Sequence, residues 1–154
     1  EGRERLLKES LKPLLRRYDF IVLDCPPTLG ILTILALTAA QGVLIPLQCE
    51  TLSHRGVGQL LDTIYDVKKF TNRGLHVIGV LPTLFDGRTT HGRTVLERIG
   101  DDYGVTVLSP AIPKSVRFAE APAVGQTVLR TARTSKGAMA YRELAAQLLK
   151  LRAS

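Results

Sequence analysis

Residues 18–30, YDFIVLDCPPTLG, are the stretch from which the fold of this chain can be predicted. Phe20–Leu23 is a run of four apolar residues, typical of a short strand that is buried on both faces of a sheet. The run ends at Asp24, and the prolines after it cannot continue a strand. Because open α/β sheets bind ligands at the carboxyl ends of their strands, Asp24 is a candidate site residue. The run alone also allows a plainer interpretation, in which Asp24 only caps the next turn.

Outward from this stretch, the sequence alternates between predicted strands and helices. The predicted strands are Phe20–Asp24, Gly42–Gln48, Leu75–Leu81 and Val105–Leu108. The predicted helices are Glu1–Arg16, Gly30–Ala40, Leu52–Thr71, His91–Tyr103 and Thr134–Leu151, and Ala111–Val128 is predicted to be irregular. Such alternation predicts βαβ units with right-handed crossovers. The predicted fold class is therefore α/β, a mostly parallel open sheet in three layers with helices on both faces, within a single domain over residues 1–154.

Composition narrows the class of protein. Of the 154 residues, 45% are apolar and 23% are charged, which is ordinary for a globular domain, and no apolar run approaches the ~20 residues of a membrane span. The net charge is +7, and residues 114–152 hold eight Lys and Arg against two Glu, which is six of those seven charges. A basic end of this kind indicates either a polyanionic partner or a solvated basic surface.

Several stretches together resemble one family. YDFIVLDCPPTLG is similar to the Walker B and switch region of ParA/Soj-type partition ATPases, of the deviant-Walker P-loop class. GVLPTLFDGRT at 79–89 resembles the strand-and-loop segment of that family, and IPKSVRFAEAPAVGQTV at 112–128 resembles its IPR-x-VR-x-x-EAP-x-x-G segment. SKGAMAYRELAAQLL at 135–149 is similar to its closing helix. The stretches follow the family's order from about Tyr18 onward, so the resemblance implies a P-loop NTPase-like fold and an ATPase.

The resemblance implies a nucleotide site that takes ATP and Mg²⁺. Asp24 would be catalytic and would hold Mg²⁺ through water, which suits an ion that keeps several of its waters. The loop after Asp24 would be the switch that moves with the γ-phosphate, and its predicted members are Cys25, Pro26, Pro27, Thr28 and Gly30. Thr83, Leu84 and Pro113 match positions that surround the adenine base in the family. Glu120, Ala121 and Pro122 match a further element whose role the residues do not define.

The resemblance also implies macromolecular partners. In the family, arginines at the positions of Arg88 and Arg117 bind DNA without sequence specificity, and Lys114 stands where an arginine is common. These three residues are the predicted DNA contacts, since cations on a surface release counterions from phosphates. The implied partners are nonspecific double-stranded DNA, a ParB-type centromere-binding protein and a second copy of the chain on ATP, with no membrane. The implied location is the cytoplasm of a bacterium, on the nucleoid.

One element of the family pattern is absent from the sequence. No G-x-x-x-x-G-K-[ST] phosphate loop or lysine-rich variant of it occurs. Because that loop precedes the Asp24 strand in the family, we interpret the chain as the carboxyl-terminal portion of a longer ATPase, with amino-terminal strands missing and no ATPase activity of its own. The alternatives are a MinD-like positioning ATPase and a degenerate, non-enzymatic DNA-binding or regulatory module. An iron–sulfur reductase is disfavoured because Cys25 and Cys49 do not lie in glycine-rich loops.

Overall fold

The computed structural model describes residues 2–49 and 53–153. In chain order these residues form α1 (Leu6–Leu11), α2 (Ile31–Ala39), β1 (Gly42–Gln48), α3 (Ser53–Phe70), β2 (His76–Thr83), α4 (Thr90–Tyr103), α5 (Arg117–Ala123), α6 (Val128–Thr131) and α7 (Lys136–Ala153). Short 3₁₀ helices at Arg3–Arg5 and Lys12–Leu14 flank α1. Within this described part of the chain, no helix has the length and apolar character needed to cross a bilayer.

The sheet is built around β1 and β2, which pair directly and are connected through α3. Isolated parallel bridges extend β2, from Val80 to Val107 and from Phe85 to Pro113. Gly79 (φ 156°) permits the first of these approaches, because a Cβ there would lie 2.7 Å from the carbonyl oxygen of Thr106. Parallel strands joined through helices in an open sheet confirm the predicted α/β class.

The chain divides into two compact units, each with its own buried apolar side chains. The first unit is Glu1–Leu44 with Arg55–Ile78, and the second is Ile45–His54 with Gly79–Ser154. The first buries Ala36, Leu37, Val57, Ile64, Val67 and Leu75, and the second buries Ile45, Val80, Leu81, Ile99, Ile112, Ala121, Val128, Ala138, Ala140 and Leu144. The single domain predicted over residues 1–154 stays a prediction.

In the first unit, a polar contact closes the end of α2. The Asn72 side-chain amide donates to the carbonyls of Leu37 and Ala40, at 3.0 and 2.7 Å. Beside it, the hydroxyls of Thr38 and Thr71 lie 2.9 Å apart. Carbonyls in the last turn of a helix have no partner within the helix, so Asn72 satisfies acceptors that α2 leaves open.

The predicted strand at Phe20–Asp24 is wrong, because these residues belong to none of the described strands. Val22 is 89% exposed, although the pattern predicts burial on both faces. An apolar run becomes a strand only where neighbouring backbone completes its hydrogen bonds, and among the described residues this run joins neither the β1–β2 pair nor the isolated bridges. By contrast, α2 is exposed only at its first two residues, Ile31 and Leu32, and the rest of the helix is buried or half-buried.

The other elements agree with the predictions to differing degrees. The bounds of β1 are as predicted, and β2, α3, α4 and α7 lie within a few residues of theirs. The strand predicted at Val105–Leu108 is reduced to the single bridge of Val107. Ala111–Val128 is not wholly irregular, because α5 lies within it. Pro122 is the sixth residue of this seven-residue helix and has no N–H to donate to the carbonyl four residues earlier, and α5 ends one residue after it. Glu1 and Leu52, the predicted first residues of two helices, lie outside the described residues.

Candidate functional site

Asp24 lies in the first unit, at the start of an exposed loop. Its neighbour Cys25 is also exposed, and the Cys25 thiol donates to the carbonyl of Leu23 at 3.6 Å. Partial burial, and then the charge of the Asp24 carboxylate, raise the pKa of the Cys25 thiol. Because the thiolate is the reactive form of cysteine, this shift keeps Cys25 in its unreactive thiol form at neutral pH. The group available for chemistry here is therefore the Asp24 carboxylate.

The predicted switch loop runs directly into α2. Gly30 is the residue before that helix, with φ −82° and ψ −173°, and its carbonyl accepts from the N–H of Ile34 at 3.2 Å. One further bond ties the loop to the helix, from the Thr33 hydroxyl to the Thr28 carbonyl at 2.5 Å. Pro26 and Pro27 restrict the backbone between these contacts and Asp24. The loop is thus stiff in its proline segment and anchored at the end that enters α2.

The predicted adenine-binding residues lie in the second unit, where backbone hydrogen bonds bring them together. Two segments of the chain, residues 82–85 and 112–114, run side by side here. The Ile112 N–H donates to the Pro82 carbonyl at 2.8 Å, the Phe85 N–H to the Ile112 carbonyl at 3.0 Å, and the Lys114 N–H to the Phe85 carbonyl at 3.1 Å. This pairing sets Thr83 and Leu84 next to Pro113, as one nucleotide-base site would require.

A cavity of about 320 Å³ opens beside Leu84. Its lining residues are Gln48, Cys49, Leu84, Phe85, Asp86, Thr89, Gly92 and Lys114. Leu84 has φ 48°, the left-handed region that leucine seldom adopts, and is 43% exposed. Strained backbone of this kind is often found at binding sites. Burial raises the pKa of the Cys49 thiol, so the cavity wall there is neutral.

The predicted DNA contacts also lie in the second unit, and two of them are ion-paired within the chain. Arg88 donates through Nε and Nη2 to the two oxygens of Asp86, at 2.9 and 2.8 Å. These hydrogen bonds lower the pKa of Asp86 to about 2. Arg117 donates through Nη1 to Glu120 at 2.9 Å, three residues further along the chain. Arg88, Lys114 and Arg117 are all exposed, so each is accessible to a partner.

Two groups of residues in the second unit were missed by reasoning from sequence. Asp86 was not singled out, although an Asp-Gly-Arg turn is a local signal from which its pairing with Arg88 could have been inferred. The second group is His54, Asp102 and Tyr103: His54 Nε2 lies 2.8 Å from Asp102 Oδ2, and the Tyr103 hydroxyl lies 3.1 Å from His54 Nδ1. His54 is far in sequence from the other two, and no sequence signal links them.

The donor chemistry of Asp24 fits magnesium. Mg²⁺ prefers carboxylate oxygens and water, and it is commonly held by one or two carboxylates together with substrate phosphates. Asp24 offers an exposed carboxylate, and Thr28, four residues further along the chain, offers a hydroxyl oxygen. The open α/β sheet and this acidic loop define the class as a P-loop NTPase-type protein. A protein-family profile described as "AAA domain" matches residues 1–77, and the chain belongs to this family, in its ParA/Soj group of ATPases.

The similarity to individual relatives extends over nearly the whole chain. This chain is 42% identical over 147 residues to sporulation initiation inhibitor protein Soj of Bacillus subtilis, and the matched region covers 96% of this chain and 58% of Soj. It is 40% identical over 150 residues to chromosome partitioning protein ParA of Myxococcus xanthus, which is 97% of this chain and 53% of that protein. The chain therefore spans about half the length of the curated relatives it matches.

A solved structure is also similar to this chain. It is the crystal structure of cobyrinic acid a,c-diamide synthase from Mycobacterium smegmatis with bound ADP and magnesium. The identity is 48% and the TM-score is 0.83, over all of this chain (100%) and 56% of the synthase. The fold of this chain is thus shared by a protein that binds a nucleotide with magnesium.

Proposed function

We propose that this chain belongs to a ParA-type DNA-segregation ATPase, which binds DNA nonspecifically as an ATP-bound dimer and acts with a ParB-type partner. The observation that carries the proposal is the 40% identity to chromosome partitioning protein ParA of Myxococcus xanthus over 97% of this chain. The arrangement of the predicted site residues supports it, because separate stretches of sequence meet at Thr83, Leu84 and Pro113. We infer a location in the bacterial cytoplasm, on the nucleoid.

In this proposal, the loop after residue 24 serves the phosphate end of the nucleotide. ATP bound with Mg²⁺ would supply the phosphoryl group and the metal charge that stabilises its transfer. Asp24 would orient the metal's water shell through its exposed carboxylate. Cys25–Gly30 would respond to the γ-phosphate, and its prolines limit it to few backbone positions, which suits a loop with two discrete states.

Thr83, Leu84 and Pro113 would serve the base end. The apolar surfaces of Leu84 and Pro113 would exclude water from the faces of the purine, while nearby backbone groups read its edge. The 320 Å³ cavity beside Leu84 lies at the lower end of the ordinary size range of ligand pockets, about 300–1,000 Å³. Its size suits one part of a ligand, such as a base.

The 154-residue chain should not hydrolyse ATP by itself. Phosphoryl transfer depends on positioning and on charge stabilisation at the phosphates, and this sequence holds no phosphate loop to supply them. Mg²⁺-dependent hydrolysis by the purified chain that Asp24→Ala abolishes would contradict this expectation. The same assay on the complete gene product tests the ATPase itself, and its failure there would leave the non-enzymatic DNA-binding module.

The DNA-binding half of the proposal is tested by a salt series. Duplex DNA of several sequences is titrated into the complete protein with a non-hydrolysable ATP analogue, for the wild type, Arg117→Ala and the exposed control Lys68→Ala. Each lost phosphate contact lowers the slope of log K against log salt by about 0.9, so Arg117→Ala in a dimer should lower it by roughly two units. Affinity should not depend on sequence, because phosphate contacts carry no base information. Equal slopes for all three proteins would remove Arg117 from the interface.

A second candidate function comes from the solved structure. The 48% identity between this chain and the diamide synthase favours ATP-dependent amide formation on a cobyrinic acid substrate. The two functions differ in product: a synthase would yield amidated cobyrinic acid by mass spectrometry and would need no DNA. A MinD-like ATPase would instead bind anionic vesicles when ATP is present. DNA-stimulated ATP turnover without an amidated product would favour the partition ATPase over both.

A further inference from the structure

The Asp86–Arg88 pair has a geometry that bears directly on DNA binding. Two N–H groups of the Arg88 guanidinium donate to the two oxygens of one carboxylate, at 2.9 and 2.8 Å. The Arg88 backbone N–H adds a bond to Asp86 Oδ1 at 3.1 Å. Together these bonds place the carboxylate on one edge of the guanidinium fork, although the Arg88 side chain is 90% exposed. This is the same bidentate arrangement by which arginine binds phosphate.

Asp86 also acts on a second predicted DNA contact. Lys114 attracts the Asp86 carboxylate electrostatically, and both residues line the 320 Å³ cavity. The hydrogen bond from the Lys114 N–H to the Phe85 carbonyl, at 3.1 Å, fixes the backbone of Lys114 beside the Asp86 turn. Asp86 is therefore ion-paired with one predicted DNA-binding residue, Arg88, and lines the same cavity as a second, Lys114.

We propose that Asp86 competes with DNA phosphate for Arg88, and so sets the DNA affinity of this surface below what its cations alone would give. The inference rests on the proposed DNA binding. A phosphate that approaches Arg88 meets a guanidinium edge that is already occupied and a carboxylate of its own sign. To bind DNA there, Arg88 must exchange Asp86 for phosphate, and this exchange weakens nonspecific binding while leaving it reversible.

The Glu120–Arg117 pair provides an internal comparison. It consists of a single bond at 2.9 Å between residues three apart on α5, and both side chains are more than half exposed. Exposed pairs with one contact stabilise little, since solvent screens them and both side chains lose freedom. Glu120 is therefore the weaker competitor, and its removal should affect DNA binding less than the removal of Asp86.

The test compares Asp86→Asn with the wild type in the complete protein, with a non-hydrolysable ATP analogue and duplex DNA across a salt series. Asparagine keeps the shape of the side chain and removes its charge. We expect tighter binding at low salt, and a slope steeper by about 0.9 for each additional phosphate that the released cations neutralise. Glu120→Gln should give a smaller change in the same direction. Glu97→Gln, on the exposed face of α4, controls for the change in net charge.

A double-mutant cycle assigns the effect to Arg88. In an Arg88→Ala background, Asp86→Asn should tighten binding less than it does in the wild type, because the ion pair that Asp86 makes with Arg88 is already absent. Weaker binding by Asp86→Asn would overturn the proposal and make Asp86 a residue that positions Arg88 for DNA. An effect equal to that of Glu97→Gln would also overturn it. If neither the wild type nor Asp86→Asn binds DNA, the proposed DNA-binding function itself fails.

Discussion

Residues 20–30 and residues 76–88 are both apolar runs followed by an acidic turn, yet they have different environments. In the second run, Val80 is 0% exposed. Its N–H donates to the Thr106 carbonyl and its carbonyl accepts from the Leu108 N–H, each at 2.8 Å. In the first run, Val22 is 89% exposed and belongs to no described strand. The two runs are similar in composition, so the difference comes from the backbone that lies beside each of them.

The comparison shows that a run of apolar residues favours burial but does not by itself specify a strand. The run in β2 is paired because residues 106–108 and 112–114 lie beside it and form backbone hydrogen bonds with this region. Around Val22, large apolar side chains such as Tyr18 and Leu15 are also exposed. An exposed apolar segment of this kind is prone to pair with another strand. The chemistry and the stability of the two regions should differ accordingly.

The largest expected effect is on catalysis at the first region. Asp24→Ala in the complete protein should lower Mg²⁺-dependent ATP turnover by about 10²–10³-fold, the usual cost of losing one electrostatic contribution to a transition state. The fold should persist, because Asp24 is exposed. Turnover is measured against Mg²⁺ concentration, with circular dichroism to check the fold and Asp62→Ala on α3 as the control. Normal turnover with normal Mg²⁺ dependence would show that another carboxylate is responsible.

The next effect compares the same substitution in both regions. Val80→Ala should lower the free energy of unfolding by about 2 kcal/mol, because it removes two buried methyl groups and leaves a cavity. Val22→Ala should change it by less than about 0.5 kcal/mol, since an exposed side chain loses little. Urea denaturation of both variants measures the difference. Equal losses would mean that Val22 is buried in solution, and would restore the predicted strand.

A smaller effect is expected at Leu84, where function and stability should separate. Leu84→Gly relieves a left-handed backbone conformation that costs a leucine about 1–2 kcal/mol. Glycine also increases the conformational entropy of the unfolded chain, which lowers the stability of the fold. The two changes nearly cancel, so stability should stay within about 1 kcal/mol of the wild type. Nucleotide affinity of the complete protein should fall, because the apolar surface offered to the base is lost. Unchanged affinity would remove Leu84 from the site, and Leu84→Ala separates side-chain loss from backbone relief.

The smallest expected effect is the pH dependence at Asp86. Its pKa is lowered to about 2 in the folded chain, below its ordinary value of 3.8, mainly by the hydrogen bonds from Arg88. Because the pKa is lowered on folding, the ionised Asp86 stabilises the fold at pH values above its ordinary pKa, and this stabilisation is lost as the pH falls through about 2. The effect on stability is small, since the pair is exposed. Carbon NMR of the Asp86 carboxyl measures the titration, and in Arg88→Ala its midpoint should rise.

Much of the fold was predictable from sequence because its signals are local. Glycine, proline and helical periodicity predict α3, α4 and β1 closely, whereas the short helices α5 and α6 were not predicted. The adenine-binding positions were predicted by resemblance and stay a prediction, to which the structure adds the hydrogen bonds that join 82–85 to 112–114. The polar cluster of His54 with Asp102 and Tyr103 was not predictable, because nothing in the order of residues states which distant segments meet.

The sequence by itself determined the α/β class, the positions of the main helices and the family to which the chain belongs, because periodicity and motif spacing depend on near neighbours along the chain. Only the tertiary structure decided which apolar run became a strand, since the hydrogen bonds of a strand come from backbone distant in sequence. It also decided that Arg88 and Arg117 carry their own carboxylate partners. A sequence records charge by position, whereas the effect of a charge depends on side-chain geometry at distances of about 3 Å.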